Sequence, residues 1–244
     1  SHLHGDHCFG LLGLLSTFGM LGRTSRLKVF APECYASLFE QQMDFFMQGM
    51  TYEIEFVPVD TTLQKVVYED HSVTVETVPL RHRVPCCGYI FREKPTLPHI
   101  RRDMIDYYGI PLSQINNIKN RADWTTPEGD IVPNSRLVEP ADAPRSYAYC
   151  SDTCYLPELH KQLEGTTCIY HETTYATEDA EKATKYCHST AAQAAQVARD
   201  AHAGRLLLGH YSSKYDNEQV LLEEARAVFP ASELTREGMV VELK

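Results

Sequence analysis

Apolar and polar positions along the chain fall into short runs whose spacing alternates between helix-like and strand-like. After His7, the run CFGLLGLLSTFGMLG is apolar almost throughout and predicts a helix packed on a sheet and stopped near Gly22. LKVFA (Leu27 to Ala31) predicts a strand. Pro32 then stands at a helix N1 position, ahead of Tyr35, Leu38, Phe39, Met43 and Phe46 at helical spacing, a stripe suited to core or dimer surface. EIEFVPV, KVVYE and SVTVETV, between Glu53 and Leu80, read as three further strands.

From Arg92 to Leu137 the periodicity weakens and prolines stand at 95, 98, 111, 127 and 133; a long segment with so little core pattern is usually functional or disordered. Order returns with SYAYC, CIY and RLLLG, three apolar runs that predict strands. Ser189 or Thr190 is expected to cap the Ala-rich helix AAQAAQVARDAHA, which ends at Gly204, and His188 precedes that cap. Asp216 with Gln219 resembles a capping box for NEQVLLEEARAVF, stopped by Pro230.

One regularity runs through these strands: a ligand-type residue stands just beyond the exit. His82 follows SVTVETV, Asp152 follows SYAYC, His171 and Glu172 follow CIY, and His210 follows RLLLG. Each alone has an ordinary explanation, since a histidine past a strand is more often a surface residue and an aspartate there often caps a helix. The seven residues SHLHGDH at the start change that weighting. His2, His4, Asp6 and His7 put four potential ligands within six positions, and imidazole and carboxylate suit zinc or a similar cation in a catalytic site. On an extended segment His2 and His4 share a side, about 6.6 Å apart along the chain. Gly5 lets the backbone turn so that Asp6 and His7 face a second ion. Two cations about 3.5–4 Å apart can activate a water and hold both oxygens of a phosphoryl displacement. By chance such a motif arises in roughly one chain of this composition in a thousand.

Totals narrow the classes. At 244 residues the chain holds one sizeable core or at most two small domains. Hydrophobic content of 43% and charged content of 23% are those of an ordinary globular protein. There is no signal-peptide pattern and no apolar run long enough to span a bilayer, so a cytoplasmic protein without a membrane partner is the default expectation. The formal charge of −10 opposes bulk attraction to nucleic acid. Between Arg92 and Arg121, however, Arg92, Lys94, Arg101, Arg102, Lys119 and Arg121 oppose only three carboxylates, a local basic element able to contact phosphate. Eight cysteines lack CxxC pairs and read as reduced, mostly buried small apolar residues. The chain opens without methionine, inside its most distinctive motif, and is expected to be N-terminally incomplete.

HLHGDHCFGLLGL, PLRHR with GYIF, YCSDT, HETTY, CHSTAAQAA and GHYSSKY occur in an order that resembles the metallo-β-lactamase superfamily and, within it, the ribonuclease Z family of tRNA 3′-end processing endonucleases. The resemblance covers nearly the whole chain. It implies an α/β fold of the αββα sandwich type, a single domain over 1–244 lacking its first strands, with an inserted protruding arm at about 92–137. It implies two Zn²⁺ per subunit: His2, His4 and His82 on one, Asp6, His7 and His210 on the other, and Asp152 bridging. Asp6 is then also the proton acceptor for the attacking water, and His171, oriented by Glu172 or another carboxylate, the residue that helps protonate the departing oxygen. A structural role behind the metal ligands is the competing reading for His171. Lys214, where relatives often carry arginine, and Arg101 with Arg102 on the arm become substrate-binding candidates, a lysine keeping the charge without the bidentate fork. The implied partner is precursor tRNA, met by a homodimer whose arm serves the neighbouring subunit's site. The arm sequence GIPLSQINNIKNR lacks the Gly-Pro tip common in relatives. Two other readings stay open: another hydrolase of the superfamily acting on a phosphodiester, lactone or thioester, and a metal-free RNA-binding scaffold.

Overall fold

The computed structural model describes residues 1–243. Two short helices, α1 (Gly5–Cys8), which takes in the end of the first metal-type motif, and α2 (Gly10–Met20), stand where the sequence predicts one, with Phe9 between them. Strand β1 (Leu27–Pro32), a 3₁₀ turn at Glu33–Tyr35, helix α3 (Ala36–Phe46) and strand β2 (Ile54–Val59) follow, so Pro32 closes a strand instead of opening the helix. β1 and β2 pair in parallel. Tyr35, Phe39 and Met47 pack with Leu15 of α2 and with Val29 and Phe56 of the two strands, which gives this pair a core of its own.

A seven-stranded sheet is built from β3 (Val66–Glu69), β4 (Val73–Pro79), β5 (Cys87–Glu93) and four later strands. Between β5 and the next strand of this sheet the chain forms β6 (His99–Ile100), α4 (Arg102–Tyr108), α5 (Ile115–Lys119), β7 (Trp124–Thr125), β8 (Ile131–Val132), α6 (Asn134–Leu137) and β9 (Val138–Glu139). It then re-enters the sheet as β10 (Ser146–Cys150), continues through α7 (Leu159–Gln162), β11 (Cys168–Glu172), α8 (Ala180–Tyr186), α9 (Ala191–Asp200), β12 (Leu206–Gly209) and α10 (Gln219–Val228), and ends the sheet with β13 (Ser232–Leu234).

The strand order is β13-β12-β11-β10-β5-β4-β3, with β10 to β13 parallel and β5 antiparallel to β10. Helices α9 and α10 cover one face. Ala191, Ala194, Ala195 and Ala198 form a buried stripe at i, i+3, i+4 and i+7, and so small a stripe lets α9 approach Ile169, Leu206 and Leu208 of the sheet closely. On the other face Phe30 of β1 reaches Tyr68 at a ring separation of 6.1 Å, so the small β1-β2 sheet lies over the large one, with α2 and α3 beyond. The layers are helix, sheet, sheet, helix, an α/β sandwich whose second sheet has two strands among the described residues.

Contacts divide the chain into two units, Ser1–Arg92 with Arg145–Lys244, and Glu93–Pro144. The second unit is the segment of weak periodicity. It carries its own core of Ile110, Ile118, Val132 and Leu137 with Met104 and Trp124 against them, too short in each run to show as a period. Capping follows the sequence at α9, where Thr190 and Gln193 form the full capping box, while the Ser189 hydroxyl donates to the Thr153 carbonyl. At α10 the Asp216 cap is corrected: the helix begins at Gln219, whose N–H donates to Asn217 Oδ1. All eight cysteines are free thiols, and no helix among the described residues is long and apolar enough to cross a membrane.

Candidate metal centre

Four separate segments deliver the ligand-type side chains. Ser1 to His4 is extended, held by the Cys87 N–H donating to the Ser1 carbonyl, and α1 then turns Asp6 and His7 round beside it. His82 sits in the β4-β5 loop, which is tied to the loop after β10 by Arg81 N–H donating to Thr153 Oγ1 and Cys154 N–H donating to the Arg81 carbonyl. Asp152 lies two residues past β10 and His210 one residue past β12. His210 adopts a left-handed backbone, φ 58°, a region in which histidine is among the tolerated residues.

The side chains converge. His4 Nδ1 stands 3.2 Å from both His2 Nε2 and His82 Nε2. Four nitrogens around zinc at about 2.0–2.1 Å lie about 3.3–3.4 Å apart, so this spacing is that of a tetrahedral site. Asp152 occupies the middle: its Oδ2 is 3.7 Å from His2 Nε2, 3.8 Å from His82 Nε2 and 3.4 Å from His210 Nε2, and its Oδ1 is 3.5 Å from His7 Nε2. Asp6 Oδ2 is also 3.5 Å from His7 Nε2 and is mostly exposed. Asp6, His7 and His210 form a second group of mutually close ligand atoms.

Protonation suits cations. Burial pushes His2 down to about 4 and lowers His82 as well, so both are neutral donors near pH 7. Burial alone would raise Asp152, but the charges of His210, His7 and His2 outweigh it and hold the carboxylate below its ordinary value. The far side of each ring is engaged too. His82 Nδ1–H donates to the Cys187 carbonyl at 2.9 Å, which leaves Nε2 bare, and His210 Nδ1 lies 2.8 Å from Thr174 Oγ1. The donor set, its spacing and its outer partners fit a pair of metal ions sharing one carboxylate.

His171 does not join this group, which corrects its expected place. Side chains alternate along a strand, so His171 shares the helix-covered face with Ile169; it is fully buried there, with Nδ1 2.7 Å from the Glu172 carbonyl. Glu172 points the other way. Its buried carboxylate accepts from Thr153 N–H, Thr174 N–H, the Thr174 hydroxyl and His188 Nδ1, the last at 2.8 Å. The His188 ring stacks on His210 with centroids 5.3 Å apart, and its ligand-type nitrogen falls in one cluster with those of Asp152 and His210. Burial disfavours a charged His188, but the hydrogen bond and charge of Glu172 prevail and raise it above its ordinary value. The sequence shows His188 only as the residue ahead of a cap.

The substrate-binding candidates are divided between the two units. Lys214 follows His210 by one turn of loop, but its ammonium is engaged by Glu178 and by the buried Asp179. Arg101 and Arg102 belong to the Glu93–Pro144 unit, where Arg101 pairs with Asp103 at 2.8 Å and Arg102 is exposed at the start of α4.

A sandwich whose edge holds two histidine and aspartate groups joined by one carboxylate defines the metallo-β-lactamase class of metal-dependent hydrolases. No family model matches the chain. It is 49% identical over 243 residues to ribonuclease Z of Bacteroides fragilis, covering 100% of this chain and 80% of that protein, and 49% identical over 244 residues to ribonuclease Z of Phocaeicola vulgatus, covering 100% and 79%. The crystal structure of the short form of human tRNase Z superposes with a TM-score of 0.63 at 19% identity, over 100% of this chain and 77% of that one, and shows the shared fold. The chain belongs to the ribonuclease Z family.

Proposed function

We propose that the chain is a zinc-dependent endoribonuclease that removes the 3′ trailer from precursor tRNA in the cytoplasm and leaves a 3′-hydroxyl on the tRNA. The observation that carries the chemistry is Asp152, whose carboxylate touches both histidine groups, Oδ2 reaching His2, His82 and His210 and Oδ1 reaching His7. His2, His4 and His82 would hold one zinc and Asp6, His7 and His210 the other, with Asp152 between them. When bound, two zinc ions lower the pKa of a water toward neutrality and offset phosphate charge.

Asp6, the one exposed carboxylate of the group, accepts the proton of the attacking water. His188, held at Nδ1 by Glu172, whose hydrogen bond and charge raise its affinity for a proton, delivers one to the departing 3′-oxygen, the role the sequence suggests for His171. Arg101, Arg102 and Lys214 contact phosphate, and for Lys214 this requires exchange from Glu178 and Asp179. The Glu93–Pro144 unit is the tRNA-gripping arm. Phe9, Met20 and Leu21 expose large apolar surface around α1 and α2, which supports a homodimer. Light scattering is expected to give twice the chain mass, and a monomer at micromolar concentration would remove that part of the proposal.

The direct test is precursor tRNA beside a small phosphodiester, with the product 3′ end mapped. Cleavage after the discriminator nucleotide is expected. Hydrolysis of the small ester with the RNA left intact would favour the alternative, a general phosphodiesterase of the same fold.

A further inference from the structure

We infer that Thr174 is a positioning residue whose hydroxyl fixes the His210 tautomer and couples it to the Glu172–His188 pair, an inference that rests on the metal-dependent reading above. Thr174 is buried, and its Oγ1 lies 2.6 Å from Glu172 Oε2, 2.8 Å from His210 Nδ1 and 3.2 Å from His188 Nδ1. A hydroxyl has one proton, and an ionised carboxylate can only accept, so that proton goes to Glu172. The lone pairs of Oγ1 then face His210, whose Nδ1 must carry the hydrogen. His210 Nε2 is left bare toward Asp152 Oδ2, 3.4 Å away, the orientation a ligand needs.

His188 Nδ1 is closer to Glu172 Oε1, at 2.8 Å, and donates there. One carboxylate is thereby divided, Oε1 serving His188 directly and Oε2 serving His210 through the threonine. The backbone frames this arrangement on both sides of His210, because Thr173 N–H donates to the Gly209 carbonyl at 2.8 Å and Ser212 N–H to the Thr174 carbonyl at 3.1 Å. Serine can supply the same hydroxyl. Valine keeps the shape and loses it.

The test has three parts on the full chain. In the metal-free wild type, imidazole ¹⁵N shifts are expected to show His210 protonated at Nδ1; protonation at Nε2 in the neutral ring overturns the inference without any variant. Zinc titration against a chelator is expected to give two equivalents for the wild type and for Thr174→Ser. For Thr174→Val the second equivalent is expected to bind about tenfold more weakly, and kcat on precursor tRNA to fall about 10- to 100-fold with KM little changed. Unchanged second-site affinity and kcat in a folded Thr174→Val chain would also overturn it. A wild type that takes up no zinc instead refutes the metal reading, while the His210 shifts still decide the role of the hydroxyl.

Discussion

Asp6 and Asp152 differ in exposure: one is open to water and the other buried among imidazoles. On the proposed roles, Asp6→Ala removes a ligand and the proton acceptor together, so turnover is expected to fall by at least about a thousandfold with the fold retained. Near-normal cleavage would refute both roles. His188 and His171 separate position from identity. His188→Gln is expected to lower kcat roughly 100-fold or more while leaving the melting temperature close to wild type. His171→Gln is expected to cost about 1–3 kcal/mol of stability from a packed site, with kcat little altered. The reverse pattern in kinetics and thermal melts would return the catalytic role to His171. Ligand residues were legible because their chemistry stands beside strand exits. The choice between His171 and His188 was not, since it depends on which face of β11 the helices cover, and that is set by Ile169 meeting α9 and α10.

At the scale of elements, apolar runs located the strands β1, β2, β10 and β12, and a Ser189 or Thr190 cap ahead of an Ala-rich run located α9. Elements of two to five residues in the Glu93–Pro144 unit fell below any usable period, although they enclose a core. This unit leaves and re-enters the sheet at neighbouring positions, because Arg92 and Ser146 are register partners on β5 and β10. A short turn can therefore replace it with little disturbance to the strands. The shortened chain is expected to keep hydrolysis of a small phosphodiester within about threefold and to lose tenfold or more of its kcat/KM on precursor tRNA, a loss of about 1.4 kcal/mol or more. Equal losses on both substrates, measured side by side, would remove the RNA-gripping role.

Across the whole molecule, the candidate ligands come from distant parts of the chain, with His4 and His82 separated by 78 positions and His7 and Asp152 by far more. Bringing imidazoles together without cations carries a pH-dependent cost. An unfolded histidine takes up its proton near 6.5, whereas folded His2 does so only at about 4 and His82 below its ordinary value. Protonation thus favours the unfolded chain, and their contribution to stability is complete above about pH 6.5 and lost as pH falls toward 4. His188 has the opposite sign, since its raised value favours the folded state on the acid side. Burial lowers His171 as well, and with three lowered histidines against one raised, the chelated protein is expected to melt progressively lower from pH 6.5 to 4. A flat or rising profile would contradict the assigned burial effects.

Anomalous diffraction from crystals of the zinc-loaded protein measures the central geometry most directly. Two peaks about 3.5–4 Å apart are expected, one among His2 Nε2, His4 Nδ1 and His82 Nε2, the other among Asp6, His7 and His210, with Asp152 between them. A single peak away from these side chains, or none at full zinc occupancy in solution, would contradict it.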